Sequence, residues 1–365
     1  MDKEQIIIGL SREFIIHPGE TLQEILEDRE MSQKELSVRT GMTEKHISTI
    51  VNGTKPISIA FAKKLEYALG VESAFWINLQ ALYDRELLEF EELHNISDEE
   101  ISVLKNLKDI IAYLNQKQIL NSNDNLAGLV LDVRKFMGIS NLLDVPNLAF
   151  NAAFRAQVAN TNIDVYVLFA WQKICELLTQ DIIVAEEVDF EKLKSKIPEI
   201  KKLMFKDTKI IRSELESIFA ECGIGFKIVR NFKGAPVQGF IKKTDKSNMI
   251  LCITLRRKYA DIFWFTLFHE IAHIIYKDIK NKFIDFELRA NEMEERADRF
   301  AKNTLINPTE YKKFTNRRDF SLEAIEKFAD KCCVRSYIVI GRLMKEEYIG
   351  WDSYNHQRDK YIWGN

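Results

Sequence analysis

An apolar stretch at residues 260–278, ADIFWFTLFHEIAHIIYKD, carries two histidines and a glutamate at its centre. Its length and apolar character predict a helix from about Ala260 to Tyr276. His269 and His273 are four residues apart, so both imidazoles lie on one face of that helix, about one turn apart. Two imidazoles in this arrangement can bind a single metal ion at about 2 Å.

A metal site of this kind needs further groups. Glu270 lies between the two histidines, and we expect it to point to the open side of the metal, where it can act as a general base. A third ligand must come from another segment. The stretch 290–306, ANEMEERADRFAKNTLI, offers Glu294 with Asp298 one helical turn later. We expect Glu294 to bind the metal and Asp298 to accept the free ring N–H of a ligand histidine.

The alternative reading of these residues is structural. A histidine on an apolar helix is commonly a satisfied core residue, and charges such as those of the 290–306 segment commonly form a solvated face. Against this reading, two of only six histidines in the chain fall on one helix face beside a carboxylate.

The segment before this helix predicts a small sheet. Three short β-rich runs, GFKIVRNF, VQGFIKKT and NMILCITL, are separated by turn residues. Together with the flanking helices they predict an α+β domain at residues 216–365. The fold class expected for the whole chain is mainly α with this one small β-sheet.

The N-terminal residues 1–92 show a different pattern, in which short helices are separated by caps and turns. Ser32 precedes QKELSVRT and has Glu35 three residues later, which is a capping-box pattern. Gly41 supplies a turn, and Thr43 caps a further helix, EKHISTIVNG. Two short helices joined by a glycine-containing turn predict an all-α helix-turn-helix domain. Its expected core residues are Leu36, Val38, Met42, Ile47, Ile50 and Val51.

Polar side chains around the second helix of this motif are suited to hydrogen bonds with base edges and phosphates. The candidate DNA-contacting residues are Gln33, Thr43, Glu44, Lys45, His46, Thr49 and Lys55. Residues 31–64 carry six cations and two anions, although the chain as a whole has a formal charge of −3. Because one such module has few cations, we expect a homodimer on a palindromic double-stranded DNA operator. The alternative is a small helical bundle used for protein contacts.

Between these two domains, residues 93–215 are expected to form a helical linker or scaffold. The lysine-rich segment 191–212 is interpreted as a solvated helix face, with a second phosphate contact as the alternative. Five cysteines without CxxC spacing indicate a reducing compartment. No stretch approaches ~18 unbroken apolar residues, so we expect a cytoplasmic protein with no membrane span.

Two family resemblances rest on these motifs. Residues 18–87, with PGETLQEILEDREMSQKELSVRTGMTEKHISTIVNGTKPIS and ESAFWINLQALYDREL, resemble the HigA-type antitoxins of the Xre/Cro family of regulators. Residues 216–309, with GAPVQGF, FWFTLFHEIAHIIY and EERADRFAKNTLINP, resemble the ImmA/IrrE family of zinc metallopeptidase domains. Residues 310–363 resemble that family more loosely, through VRSYIVIGRLMKEEYIGW.

The resemblances imply a function for each part. The first implies a DNA-binding regulator of transcription, often with a cognate toxin as partner. The second implies one zinc ion per chain, held by His269, His273 and Glu294, and Glu270 as the general base of an endopeptidase that cleaves a repressor or partner protein. The peptide substrate would lie beside an exposed strand, with NMILCITL or VQGFIKK as the expected edge. The alternative is an antitoxin-type repressor whose zinc domain senses metal or binds protein without cutting.

Overall fold

The structure is a computed structural model that describes residues 12–120, 125–148, 163–182, 184, 187–244, 248–255, 258–278, 282–286 and 292–361. The chain divides into two compact units. The first consists of Met1–Leu104 and Leu120–Lys135, and the second consists of Lys105–Ile119 and Phe136–Asn365. The predicted mainly α fold class with one small sheet is confirmed. Among the described residues, no helix is long and apolar enough to cross a membrane.

Helices account for the regular structure of the first unit wherever its residues are described. They are α1 Pro18–Asp28, α2 Gln33–Thr40, α3 Glu44–Val51, α4 Ile59–Leu69 and α5 Ser73–His94, with α6 Asp98–Asn106 reaching its end. The N-caps are local and follow the sequence: Ser32 and Thr43 each accept a hydrogen bond from the backbone N–H three residues later. Gly41 ends α2 in the left-handed conformation, with φ of 63°, which glycine adopts without a steric penalty.

The core of this unit corrects one sequence prediction. Leu36, Ile47 and Ile50 are buried, and Met42 and Val51 pack against them, but the side chain of Val38 is 79% exposed. The helix α2 has eight residues, and its buried positions, Leu36 and Thr40, are four residues apart on one face. Val38 lies midway between them and therefore on the opposite face.

The second unit contains most of the remaining helices. They are α7 Lys108–Gln116, α9 Val165–Thr179, α10 Phe190–Lys202, α11 Thr208–Glu221, α12 Ala260–Ile275, α13 Glu292–Leu305, α14 Pro308–Asn316, α15 Leu322–Lys331 and α16 Ser336–Lys345. The helix α8 Leu126–Met137 lies in the first unit as far as Lys135 and ends in the second. In the lysine-rich segment, half of the cations make ion pairs with glutamates: Lys194, Lys196, Lys206 and Arg212.

A mixed sheet forms the other part of the second unit. Its described strands are β1 Ile224–Val229, β2 Val237–Lys243, β3 Met249–Thr254 and β4 Lys282–Phe286, in the order β1-β3-β2-β4. The strand β1 runs parallel to β3, and the other pairs are antiparallel. The first three strands fall where the sequence predicts strands, and β4 is an addition. The expectation that β2 or β3 is an exposed edge is wrong, because each has a strand on both sides.

The apolar helix α12 occupies the centre of this unit. It contacts β2, β3, α10, α13 and α16, and all its residues except Ile262 and Phe265 are buried. A helix that is apolar on all sides requires such an environment. The end of the chain also holds it: Arg358 makes a buried ion pair with Asp261.

Candidate metal centre and DNA-contacting helix

The side chains of His269, His273 and Glu294 converge between α12 and α13. Nε2 of His269 is 3.0 Å from Nε2 of His273, and Oε2 of Glu294 is 3.0 Å from the first and 3.4 Å from the second. Ligand atoms at about 2.1 Å from a tetrahedral ion lie about 3.4 Å from one another. The three atoms are therefore spaced as the ligands of one metal ion would be.

Each histidine also meets a carboxylate on its other ring nitrogen. Nδ1 of His269 is 2.9 Å from Oδ1 of Asp298, and Nδ1 of His273 is 3.0 Å from Oδ2 of Asp278. Because a carboxylate accepts a hydrogen bond from an N–H group, each ring carries its proton on Nδ1. Its Nε2 is then directed at the metal position. The structure thus places Asp298 beside His269, and it adds Asp278, which sequence reasoning missed.

The missed residue lies just beyond the helix. Asp278 follows the end of α12, where helical periodicity no longer indicates the direction of a side chain, and its backbone N–H donates to the carbonyl of His273. The one available signal was an acidic residue five positions after the second histidine. Its side chain is only 5% exposed, so this carboxylate belongs to the interior of the site.

The carboxylates around the histidines are held in the ionised form. Burial by itself raises the pKa of Glu294, but hydrogen bonding to His269 and His273 outweighs it and lowers the pKa to about 2. Burial likewise raises the pKa of Asp298, and hydrogen bonding to His269 with the nearby charge of Lys345 lowers it to about 2. A buried carboxylate, Glu294, and a half-buried one, Asp298, beside two imidazoles suit the binding of a divalent cation.

Glu270 is buried on the side of α12 that meets the sheet. A Cβ built on Gly239 of β2 would overlap the carboxylate of Glu270, so the strand passes this side chain with only hydrogen atoms on its Cα. The pairing of β2 with β4 has an irregularity of register between Val237 and Gly239, and such irregularities are frequent near active sites. The glycine lies in the GAPVQGF motif, to which sequence reasoning assigned no role at the site.

This donor set fits zinc. Two imidazoles with a carboxylate are the ligands of catalytic zinc sites that keep one position open, and His269, His273 and Glu294 form such a set within the described residues. The carboxylate of Glu270 is carried on the same helix, between the two histidines.

The candidate DNA-contacting residues divide into two groups. Glu44, Lys45 and Lys55 are exposed, as is Thr43, whereas Gln33, His46 and Thr49 are half-buried. Among the described residues, Glu44, Lys45 and Lys55 make no side-chain hydrogen bond or ion pair, and their side chains are available to a ligand.

The other four candidates have contacts inside the domain. Oγ1 of Thr43 accepts the backbone N–H of His46 as the N-cap of α3, and Oγ1 of Thr49 donates to the His46 carbonyl. The ring of His46 packs edge-on against Phe61. Gln33 donates a long hydrogen bond of 3.4 Å to Gln23.

Comparison with protein families gives two matches. Residues 22–76 match the model for the helix-turn-helix, and residues 230–332 match the M78 peptidase model described as the IrrE N-terminal-like domain. The chain therefore carries a helix-turn-helix domain and an IrrE-like domain, as the sequence motifs predicted. The second match spans all four of His269, Glu270, His273 and Glu294. A search of the curated proteins gave no match.

Solved structures similar to the chain include two antitoxins. An addiction module antidote protein of the HigA family from Coxiella burnetii is 28% identical, with a TM-score of 0.20, and the alignment covers 22% of this chain and 95% of that one. The antitoxin HigA of Pseudomonas aeruginosa, solved with the higBA promoter, is 27% identical, with a TM-score of 0.21 and coverage of 23% and 96%.

Proposed function

We propose that this protein is a DNA-binding transcriptional regulator of the antitoxin type that carries a zinc-dependent endopeptidase. The observation that carries the enzymatic part is the convergence of His269, His273 and Glu294 at metal-ligand spacing. Glu270, between the two histidines on the same helix, has its carboxylate buried against Gly239. A metal site with a purely structural role needs no carboxylate between its two histidines.

The chain's own residues have distinct roles in this proposal. His269, His273 and Glu294 hold one zinc ion per chain, and Asp298 and Asp278 orient the rings. Zinc, when bound, supplies a Lewis acid that acidifies water and polarises a peptide carbonyl. Glu270 acts as the general base, which accepts the proton of the attacking water and delivers it to the leaving amine.

Burial supports this role for Glu270. Its side chain has no solvent exposure, and the backbone of Gly239 lies against its carboxylate. A carboxylate fixed in this way loses little conformational freedom when the reaction begins, and proton transfer by a positioned base contributes about 10²–10⁴-fold to rate.

The N-terminal domain supplies the second activity. Of the exposed side chains at the start of α3, Glu44 is proposed to accept a hydrogen bond from a base edge of a double-stranded operator, and Lys45 to reach a base edge or a phosphate. Lys55 is proposed to contact the phosphate backbone. We propose that the chain binds as a homodimer and that its protein partner is a repressor cleaved by the enzyme or a cognate toxin.

The test combines zinc content with cleavage. Zinc-loaded protein is incubated with itself and with repressors encoded near its gene, and fragments are identified by mass spectrometry. Glu270→Gln is expected to retain one zinc per chain and to lose cleavage by at least about a hundredfold. The matched control is Glu295→Gln, which changes an exposed glutamate of α13 and should cleave normally.

Two outcomes would contradict the enzymatic part. Cleavage by Glu270→Gln at the wild-type rate would remove Glu270 from the mechanism. Zinc-loaded wild-type protein that binds its operator and partner without cutting either would favour a regulator whose metal domain only senses metal or binds protein.

A further inference from the structure

A chain of contacts extends behind the candidate ligand His273. Oδ2 of Asp278 accepts a hydrogen bond from Nδ1 of His273. The other carboxylate oxygen, Oδ1, makes an ion pair with Nη2 of Arg296. The guanidinium of Arg296 also stacks over the ring of Tyr276, 4.3 Å from its centroid. Arg296 lies on α13, two residues after Glu294, whereas Asp278 and Tyr276 follow the end of α12.

We propose that Arg296 and Asp278 are positioning residues that arrange the metal ligands before the metal binds. The inference rests on the metal binding of the proposed function, and it is independent of whether the site cuts peptides. The metal would join α12 to α13 on one side of His273. On the other side, the ion pair between Asp278 and Arg296 joins the end of α12 to α13.

The geometry of the helices explains why a second link matters. His273 is fixed on α12, but Glu294 comes from a separate helix in the first turn of α13, so a binding site exists only when the two helices hold one relative position. Arg296 lies half a turn after Glu294, where the second turn of α13 begins. An interaction there restrains the turn that carries the third ligand and reduces the ordering cost that the metal must offset.

Charge gives a second reason. The interior around the histidines contains the carboxylates of Asp278, Glu270 and Glu294, which repel one another before a cation arrives. Arg296 supplies a permanent positive charge to one of them. Its planar group is held between the Asp278 carboxylate and the Tyr276 ring, so its direction is defined in a way that a flexible lysine would not reproduce.

An ordinary surface ion pair would not have this consequence. The side chain of Arg296 is 43% exposed, and an ion pair between exposed side chains contributes little to stability. The partner Asp278, however, is 5% exposed and shares its carboxylate with a metal-ligand histidine. Changes at Arg296 are therefore expected to reach the metal through the orientation of one imidazole.

The chain offers a matched control on the same helix. Arg299 is exposed, carries the same charge three residues after Arg296, and makes no ion pair among the described residues. Both arginines contribute equally to the net charge of the domain, but only Arg296 contacts Asp278.

The experiment measures the zinc dissociation constant of the full chain by competition with a chelator. Asp278→Ala is expected to weaken zinc binding about 10–100-fold, as is typical when the carboxylate behind a ligand histidine is removed. Asp278→Asn, which keeps an acceptor for Nδ1–H, should weaken it less. Arg296→Ala should weaken zinc about tenfold, Arg296→Lys should restore part of that loss, and Arg299→Ala should leave the affinity unchanged.

A spectroscopic readout accompanies the affinities. Cobalt(II) bound in place of zinc absorbs visible light according to its coordination geometry. Arg296→Ala and Asp278→Ala are expected to change the position or intensity of these bands, and Arg299→Ala is expected to give the wild-type spectrum.

Three outcomes would overturn the inference. Arg296→Ala that lowers the melting temperature of the metal-free protein, with zinc affinity and cobalt spectrum unchanged, would make the pair a structural link alone. Equal weakening by Arg296→Ala and Arg299→Ala would reduce the effect to net charge. Wild-type protein that binds no zinc would remove the proposed metal site and this inference with it, whereas either of the first two outcomes, with zinc bound by the wild type, would remove only the inference.

Discussion

Gly239 of β2 lies directly against the carboxylate of Glu270 on α12, so closely that a Cβ at position 239 would overlap that carboxylate. No positive φ is involved at this glycine; it is required for close approach alone. The contact between Gly239 and Glu270 links the sheet to α12 through the side chain that we propose to act as the general base.

The contact predicts strong coupling between substitutions at the two positions. Gly239→Ala forces a methyl group against a buried carboxylate and should destabilise the protein by about 1–3 kcal/mol. Glu270→Ala removes that obstacle, so Gly239→Ala should cost much less in its background. A double-mutant cycle measured by calorimetric unfolding gives the coupling free energy.

The control for this cycle is Gly350→Ala, because among the described residues a Cβ at that position meets only Oγ of Ser353, at an ordinary 3.6 Å. Its effect should be small and identical with and without Glu270→Ala. Additive effects of Gly239→Ala and Glu270→Ala would show that the two residues are not in contact.

Zinc is expected to stabilise the unit that contains its ligands. A ligand that binds only the folded state adds about 2.7 kcal/mol at a concentration 100 times its dissociation constant. Calorimetry with and without zinc should therefore show a higher melting temperature for the wild type and no change for His273→Ala. His356→Ala replaces an exposed histidine of the same unit and should respond like the wild type; if it fails to respond, the assignment of the ligands is wrong.

Those parts of the fold that depend on neighbours in sequence could be predicted. The caps at Ser32 and Thr43 and the turn at Gly41 are satisfied within three or four residues, so the pattern alone indicates them. Val38 was misassigned because eight residues give barely two helical turns, too few for apolar spacing to define one face.

Those parts that depend on distant pairing could not be predicted. The order β1-β3-β2-β4 places both expected edge strands, β2 and β3, inside the sheet. The sequence of a strand does not indicate which other strand will pair with it. Of the candidate site, His269, His273 and Glu294 follow from helical spacing, but Asp278 and Gly239 do not. The first lies beyond a helix end, and the second reaches Glu270 only through tertiary packing.

Protonation of His17 is expected to destabilise the helix-turn-helix unit in mild acid. Nδ1 of His17 accepts the N–H of Gly19 as the N-cap of α1, and it can do so only when unprotonated. Burial lowers the pKa of His17 below 6.5, although the charges of Glu20 and Asp84 oppose this. Because the folded pKa is the lower one, the stabilisation is complete above about pH 6.5 and is lost as the pH falls through the folded value.

The measurement is amide hydrogen exchange of α1 in the full chain, corrected for intrinsic rates, at pH 7.5 and 5.5. The wild type should lose protection corresponding to a helix cap, about 1 kcal/mol. His17→Asn retains a capping side chain that does not titrate, so its protection should not change with pH. His94→Asn, at an exposed position near the end of α5, should behave like the wild type, and pH-independent protection in the wild type would contradict the prediction.

Lys45 and Lys55 are expected to contact DNA phosphates, which makes the salt dependence of binding the decisive quantity. Each alanine substitution should weaken binding to a duplex of the protein's own promoter. It should also make the negative slope of log K against log salt concentration less steep by about 1. Lys63→Ala is the matched control, because Lys63 is already paired with Glu66 and lies over Tyr67. Thr43→Ala would confuse loss of DNA contact with loss of the α3 cap, so Thr43→Ser is the informative change there. An unchanged slope for Lys45→Ala would mean that the start of α3 does not contact phosphates, and unchanged slopes for both variants would remove α3 and the segment after it from the DNA-contacting surface.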